Sequence, residues 1–213
     1  MSLLFGGCSI TYGDELQDRV NERFSTLVGE HYSTQAVNLG VKGVSNDHIT
    51  RKTIQYLENF AASIVIIQFT VHQRIEWFDE TGKEHRFTPQ KTDTDVKKIY
   101  YRDVYTNQLG VENLWKNVFL FDSYCRSRGQ KYIPLIEDHY DDALRHPEWL
   151  FENGMGNWGK LCREIPHTFL NCECLGLMKR YPQHYINGAR GGHPTALGHQ
   201  VIAKKVIELI DHI

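Results

Sequence analysis

The sequence predicts one α/β domain with a mostly parallel sheet and helices on both faces, a three-layer α/β/α sandwich. Three observations predict it. Short apolar or β-branched runs at Leu3–Phe5, Gln35–Leu39, Ser63–Phe69 and Tyr132–Ile136 alternate with segments whose apolar residues recur every three or four positions. The run from Ser63 to Phe69 is continuous enough to be buried on both faces, as parallel strands are. No internal repeat or low-complexity linker divides the 213 residues, a length that buries a substantial core without disulfides or a structural metal.

Each element has its own signal. Leu3 to Phe5 is a short buried strand that runs into the small-residue loop Gly6-Gly7-Cys8-Ser9. Val20, Phe24, Leu27, Val28 and His31 form one face of an amphipathic helix. After the second strand, Ser45, Asn46 and Asp47 are N-cap candidates for a helix through about Phe60, with Ile49, Thr53, Leu57 and Phe60 on one face. Residues 73–108 are charged and aromatic without a sustained period, and read as an insertion over the carboxyl ends of the strands, a lid or contact surface. Leu114, Val118, Phe121 and Cys125 mark a helix that stops at Gly129. Pro134 gives the fourth strand an edge-like or irregular position. Residues 137–190 are irregular, and an amphipathic helix carrying Leu197, Val201, Ile202, Val206, Leu209, Ile210 and Ile213 closes the chain.

Composition narrows the partners. Twenty-four Lys and Arg against 26 Asp and Glu leave a net charge of -2 and no basic footprint for nucleic acid. No apolar run is long enough for a membrane helix. Met1-Ser2 leads directly into the first strand with no charged n-region or cleavage site, so the expected location is the cytosol, or a virion or lysate if a phage encodes the protein. Cys8, Cys125, Cys162, Cys172 and Cys174 are odd in number and read as reduced thiols. Cys172 and Cys174, with Cys162, His167 and His184 nearby, lack the usual zinc spacing, so no metal and no cofactor is expected.

The chemistry concentrates at the two ends. Ser9 stands in a tight loop at the carboxyl end of the first strand, where open α/β sheets bind ligands. His193 lies in the glycine-rich stretch Gly191-Gly192-His193-Pro194 before the last helix, from which an imidazole can reach a serine on strand one. The loop is neither a P-loop, since Asp14 follows Gly13, nor a G-x-S-x-G elbow. Cys8 reads as a small core residue rather than a nucleophile.

Gly7-Cys8-Ser9-Ile10-Thr11-Tyr12-Gly13 together with His193-Pro194 and Gly198-His199 resembles the first and last blocks of the SGNH (GDSL-like) hydrolase family. Asn38-Leu39-Gly40-Val41-Lys42-Gly43-Val44-Ser45 is similar to its second block. The resemblance implies a flavodoxin-like strand order, Ser9 as nucleophile, His193 as general base, and an oxyanion hole to which the backbone N–H groups of Ser9 and Gly43 contribute. It also implies a small acyl ester, acetyl first and carbohydrate-borne by family analogy, as the partner.

Two departures stand beside these matches. The family's Gly-x-Asn-Asp block is replaced by Gln68-Phe69-Thr70-Val71-His72-Gln73-Arg74, which leaves Thr70, His72, Gln73 or Arg74 as substitute donors, Thr70 first among them. The family aspartate three residues before the histidine is Arg190, which either points away or binds a substrate anion. Glu137, Asp138 or backbone carbonyls near residues 188–192 are left to orient His193. The alternatives are a weak or inactive binding or structural protein of the same fold, and an acyltransferase using the same pair.

Overall fold

A computed structural model describes residues 1–89, 91–137, 165–166, 168–169, 183, 185–186 and 192–213. The central sheet is parallel throughout. Strands β1 (Ser2–Gly6), β2 (Gln35–Asn38), β3 (Ile64–Phe69), β6 (Lys131–Ile136) and β7 (Thr168–Phe169) lie in the order β2-β1-β3-β6-β7. Taken in chain order within this sheet, that is the flavodoxin-like 2-1-3-4-5 arrangement.

The pleat divides the core between the two faces. Leu3, Phe5, Ile64, Ile66, Ile133 and Leu135 point to one side, against Phe24 and Val28 of α3 (Phe24–His31) and Ile202, Val206 and Ile210 of α7 (Ala196–Ile210). Leu4, Val65, Ile67, Phe69 and Ile136 point to the other, against Ile49 of α4 (Asn46–Leu57) and Leu114, Val118 and Phe121 of α6 (Asn107–Ser127). Each fully buried side chain of this size contributes about 1.5–3 kcal/mol by leaving water. Among the described residues no helix is long and apolar enough to cross a membrane.

Several local expectations are corrected. The first predicted helix is two, α2 (Arg19–Glu22) and α3, broken at an extended Arg23 (φ -70°, ψ 144°). The Phe24 N–H donates to Nδ1 of His199 at 3.1 Å, a tertiary bond that takes it out of helical pairing. Helix α4 is capped by Ser45, whose hydroxyl accepts from the His48 N–H. It ends at Leu57, so Phe60 is 59% exposed rather than on its buried face. Strand β6 is interior, not an edge. Its pairing with β7 spans Leu135 and Ile136 among the described residues, so Pro134 precedes that ladder.

The segment 73–108 carries more regular structure than its sequence suggested. It holds the antiparallel hairpin β4 (Ile75–Phe78) and β5 (Glu84–Phe87), then α5 (Asp95–Ile99), a π-helical turn at Tyr100–Val104, and the start of α6, capped by the Thr106 hydroxyl. Its aromatic residues pack on one another, Trp77 on His85 at 4.8 Å and Phe87 on Tyr100 at 5.6 Å. Two further short strands, β8 (Tyr185–Ile186) and β9 (His193–Pro194), pair antiparallel before α7.

Candidate active site

The segment after β1 is shaped by small residues and one reversal. Gly7 and Cys8 lead into a one-turn helix, α1 (Ser9–Tyr12), closed by Gly13 at φ 82°. The Gly13 N–H donates to the Ser9 carbonyl at 3.0 Å and the Asp14 N–H to the same oxygen at 2.9 Å. The chain therefore turns back immediately after Ser9. The loop after β2 lies against this turn, with the Val41 N–H donating to Gly7 O at 3.1 Å and Lys42 paired with Asp14. A Cβ on Gly40 would stand 2.5 Å from Tyr12 N, so only glycine permits that approach. Gly43 adopts φ +67°, the left-handed region that glycine enters without a Cβ clash.

Ser9 is 5% exposed, and its hydroxyl donates to the Cys8 sulfur at 3.8 Å. Among the described residues, neither the Ser9 N–H nor the Gly43 N–H donates to a protein acceptor. Strand β9, which carries His193, packs against α1. His193 Nδ1 donates to Glu15 Oε2 at 2.9 Å, because a carboxylate can only accept, and this leaves Nε2 as the basic nitrogen. Glu15 is the hydrogen-bond partner of this ring among the described residues. No hydrogen bond joins His193 to the Ser9 hydroxyl. Such bonds are often long before substrate binds and tighten in its complex.

A buried polar layer underlies the serine. Gln68 Oε1 accepts from Thr11 N at 3.2 Å and from Thr11 Oγ1 at 2.7 Å, while Gln68 Nε2 donates to Cys8 Sγ and to Glu137 Oε2, each at 3.2 Å. Glu137 Oε2 also accepts from Thr70 Oγ1 at 3.0 Å and from the Cys8 thiol at 3.4 Å. Burial, and then the Glu137 carboxylate, push the Cys8 thiol up, so the sulfur stays protonated. Asn46 completes the layer, accepting from Thr70 N at 2.7 Å and donating to Thr70 O at 3.0 Å.

No family model matches the sequence, and no curated protein matches it. Solved structures do match over almost the whole chain. A member of the lipolytic protein G-D-S-L family from Veillonella parvula is 12% identical, with all of each chain covered and a TM-score of 0.58. A psychrotrophic esterase from Pseudoalteromonas sp., in a structure inhibited by monoethylphosphonate, is 12% identical over 99% of this chain and 97% of that one, with a TM-score of 0.59. An acetylxylan esterase from Geobacillus stearothermophilus, studied as a catalytic mutant, is 13% identical over 97% of this chain and 92% of that one, with a TM-score of 0.59. The chain has the SGNH (GDSL) hydrolase fold.

On that SGNH frame the candidate residues separate. Ser9, Gly43 and His193 come from three loops that the fold gathers around α1. Thr70 reaches the same edge, but its N–H is held by Asn46 and its hydroxyl donates to Glu137, which leaves no donor for a substrate oxygen. His72 is buried toward α6, where its Cδ2 lies 2.8 Å from the position of a Cβ on Gly110. Arg74 Nη1 donates to the Thr70 hydroxyl at 2.9 Å, Arg74 Nε has no partner among the described residues, and its charge reaches Cys8.

Glu137 does not orient His193. It anchors the layer beneath Cys8 instead, because β6 ends under the serine turn rather than beside β9. Asp138, Arg190 and the Cys162, Cys172, Cys174, His167 and His184 group lie outside the described residues. The sequence reading missed Glu15 altogether. A conserved spacing before the histidine was the expected signal, and the carboxylate arrives from the other end of the chain.

Two further features stand out. A cavity of about 530 Å³ opens beside α1, with Tyr12, Glu15, Arg19 and Lys42 in its walls. On the insertion side, His48, Glu76 and Glu84 bring a ring nitrogen and two carboxylates within 4.8 Å of one another. Arg51 Nη2 already lies 2.9 Å from Glu76 and 3.2 Å from Glu84, so a guanidinium holds the centre of that cluster and ties the hairpin to α4.

Proposed function

We propose that this protein is a serine ester hydrolase acting on short acyl esters, acetyl first among them, with an acylated carbohydrate as the favoured class of substrate. The observation that carries the reading is the packing of β9, with His193, against the one-turn helix that bears Ser9. The N–H groups of Ser9 and Gly43, which meet no acceptor among the described residues, supply the other half of the chemistry.

Ser9 Oγ adds to the ester carbonyl carbon while its proton passes to His193 Nε2. The Ser9 and Gly43 N–H groups receive the charge that develops on the carbonyl oxygen, and each such donor is worth about 10²–10³-fold in rate. The bond to the alcohol then breaks, and the proton on Nε2 goes to the leaving oxygen. Water repeats the sequence on acyl-Ser9 and releases the acid. Arg74 is the donor that replaces the family asparagine: its guanidinium reaches Thr70 at the same edge, where the Thr70 N–H and hydroxyl are already taken. The acetyl and carbohydrate preference takes its support from the acetylxylan esterase of the same fold.

A binding protein of the same fold is the second reading, favoured by the low exposure of Ser9 and its lack of a bond to His193. Labelling of wild type and Ser9→Ala with a fluorophosphonate, alongside hydrolysis of p-nitrophenyl acetate, separates the two. Labelling and turnover that depend on Ser9 support the hydrolase. Folded wild type that neither labels nor turns over overturns it.

A further inference from the structure

We infer that Glu15 is the positioning acid of this site, relocated from the loop before the histidine to the nucleophile's own segment. The inference rests on the hydrolase reading above and deepens it. The position three before His193 is Arg190, which cannot accept a hydrogen bond, so the imidazole needs its carboxylate from elsewhere. Glu15 Oε2 stands 2.9 Å from His193 Nδ1, with the imidazole 15% and the carboxylate side chain 32% exposed.

The local chain is built to present that carboxylate. Gly13 reverses the backbone after α1, and Asp14, the other acid of the turn, is taken by Lys42 and by the Glu15 N–H at 3.1 Å. Glu15 itself adopts φ 68°, the left-handed region that a residue with a Cβ rarely enters. Strain of this kind persists where the surroundings hold it and clusters at active sites. With Nδ1–H on Glu15 the ring is fixed in one tautomer and orientation, and the imidazolium formed during acylation is stabilised. Ser9 and its acid are then six residues apart in one turn, and only the base comes from the far end of the chain.

The inference also separates this acid from a buried one. Glu15 lines the cavity of about 530 Å³ beside Tyr12 and Lys42, so a small carboxylate can reach its place once the side chain is removed.

The test compares Glu15→Gln, Glu15→Asp and Glu15→Ala with wild type on p-nitrophenyl acetate. A wrong or unheld tautomer in a triad costs up to about 10⁴-fold in kcat. For this partly exposed carboxylate the expected loss in Glu15→Gln is about 10²-fold in kcat, with KM little changed, and partial recovery in Glu15→Asp. Added formate or acetate restores kcat in Glu15→Ala and does nothing for Ser9→Ala. Unchanged kcat in folded Glu15→Gln overturns the inference.

A readout independent of turnover keeps this distinct from failure of the hydrolase reading. In wild type, the expected proton NMR signal is a strongly deshielded His193 Nδ1–H, lost in folded Glu15→Gln. Wild type without Ser9-dependent hydrolysis sinks the enzyme reading, and absence of that proton signal sinks the Glu15 pairing.

Discussion

Cys8 and Ser9 are neighbours in sequence and take opposite roles because of what lies under them. The thiol is sealed over Glu137 and Gln68, where burial and a nearby carboxylate keep it protonated. The serine hydroxyl donates to the Cys8 sulfur, its partner among the described residues, and makes no bond to Gln68 or Glu137. Gln68 is the residue on which this division depends, since it bonds Thr11, Cys8 and Glu137 together. Gln68→Leu leaves the Thr11 N–H and hydroxyl without their acceptor and Cys8 Sγ and Glu137 Oε2 without this donor, a loss of about 1–3 kcal/mol per unsatisfied group. The expected result is a lower denaturation midpoint and Cys8 that reacts with a thiol reagent under native conditions. Gly43→Ala keeps the N–H but places a Cβ at φ +67°, at a cost of about 1–2 kcal/mol. Chemical denaturation should show that loss, with kcat falling as the oxyanion donor shifts.

At the scale of elements, the insertion is held by ions more than by apolar burial. Trp77 and Phe78 of β4 remain exposed, while Glu76 beside them is almost fully covered and meets Arg51 of α4. Arg51 also bonds Glu84, and Arg86 bonds the same carboxylate at 2.5 Å. Arg51→Ala therefore leaves two carboxylates facing one another beside His48. Breaking a fully buried pair in this way costs about 3–5 kcal/mol, and the partial exposure of Arg51 reduces the expected effect to about 1–2 kcal/mol. Because Trp77 stacks on His85 in the hairpin, tryptophan fluorescence should change in the variant before the global transition. The sequence showed the charges of 73–108 without their order. A hairpin four residues per strand has too little periodicity to stand out, and its pairing becomes visible only when α4 supplies the counter-charge.

The whole molecule joins α3 to its last helix through His199. Its Nδ1 accepts from the Phe24 N–H, its ring stacks on Phe24, and its Nε2 is buried without a partner among the described residues. Burial, and then the charge of His193, push its pKa down to about 3 from the ordinary 6.5. The unfolded chain therefore binds a proton below about pH 6.5 that the folded chain refuses until about pH 3. Stability is complete above pH 6.5 and falls as the pH drops through that window, by a few kcal/mol in all. His199→Asn, which keeps an acceptor for Phe24, should flatten that limb in denaturation measured from pH 7 to pH 4.

By itself the sequence determined the alternation of strands and helices, the parallel sheet, and the places of Ser9, Gly43 and His193, because those depend on local periodicity and on short blocks read along the chain. The core face of α6 was legible for the same reason, with Leu114, Val118, Phe121 and Cys125 all buried as their spacing implied. Only the tertiary structure decided the break at Arg23, the commitment of Thr70 to Glu137, and the arrival of Glu15 at His193 from 178 residues away. Hydrogen bonds and ion pairs of that kind join residues with no fixed spacing, so nothing in the linear pattern selects one carboxylate over another until the sheet has brought them within 3 Å.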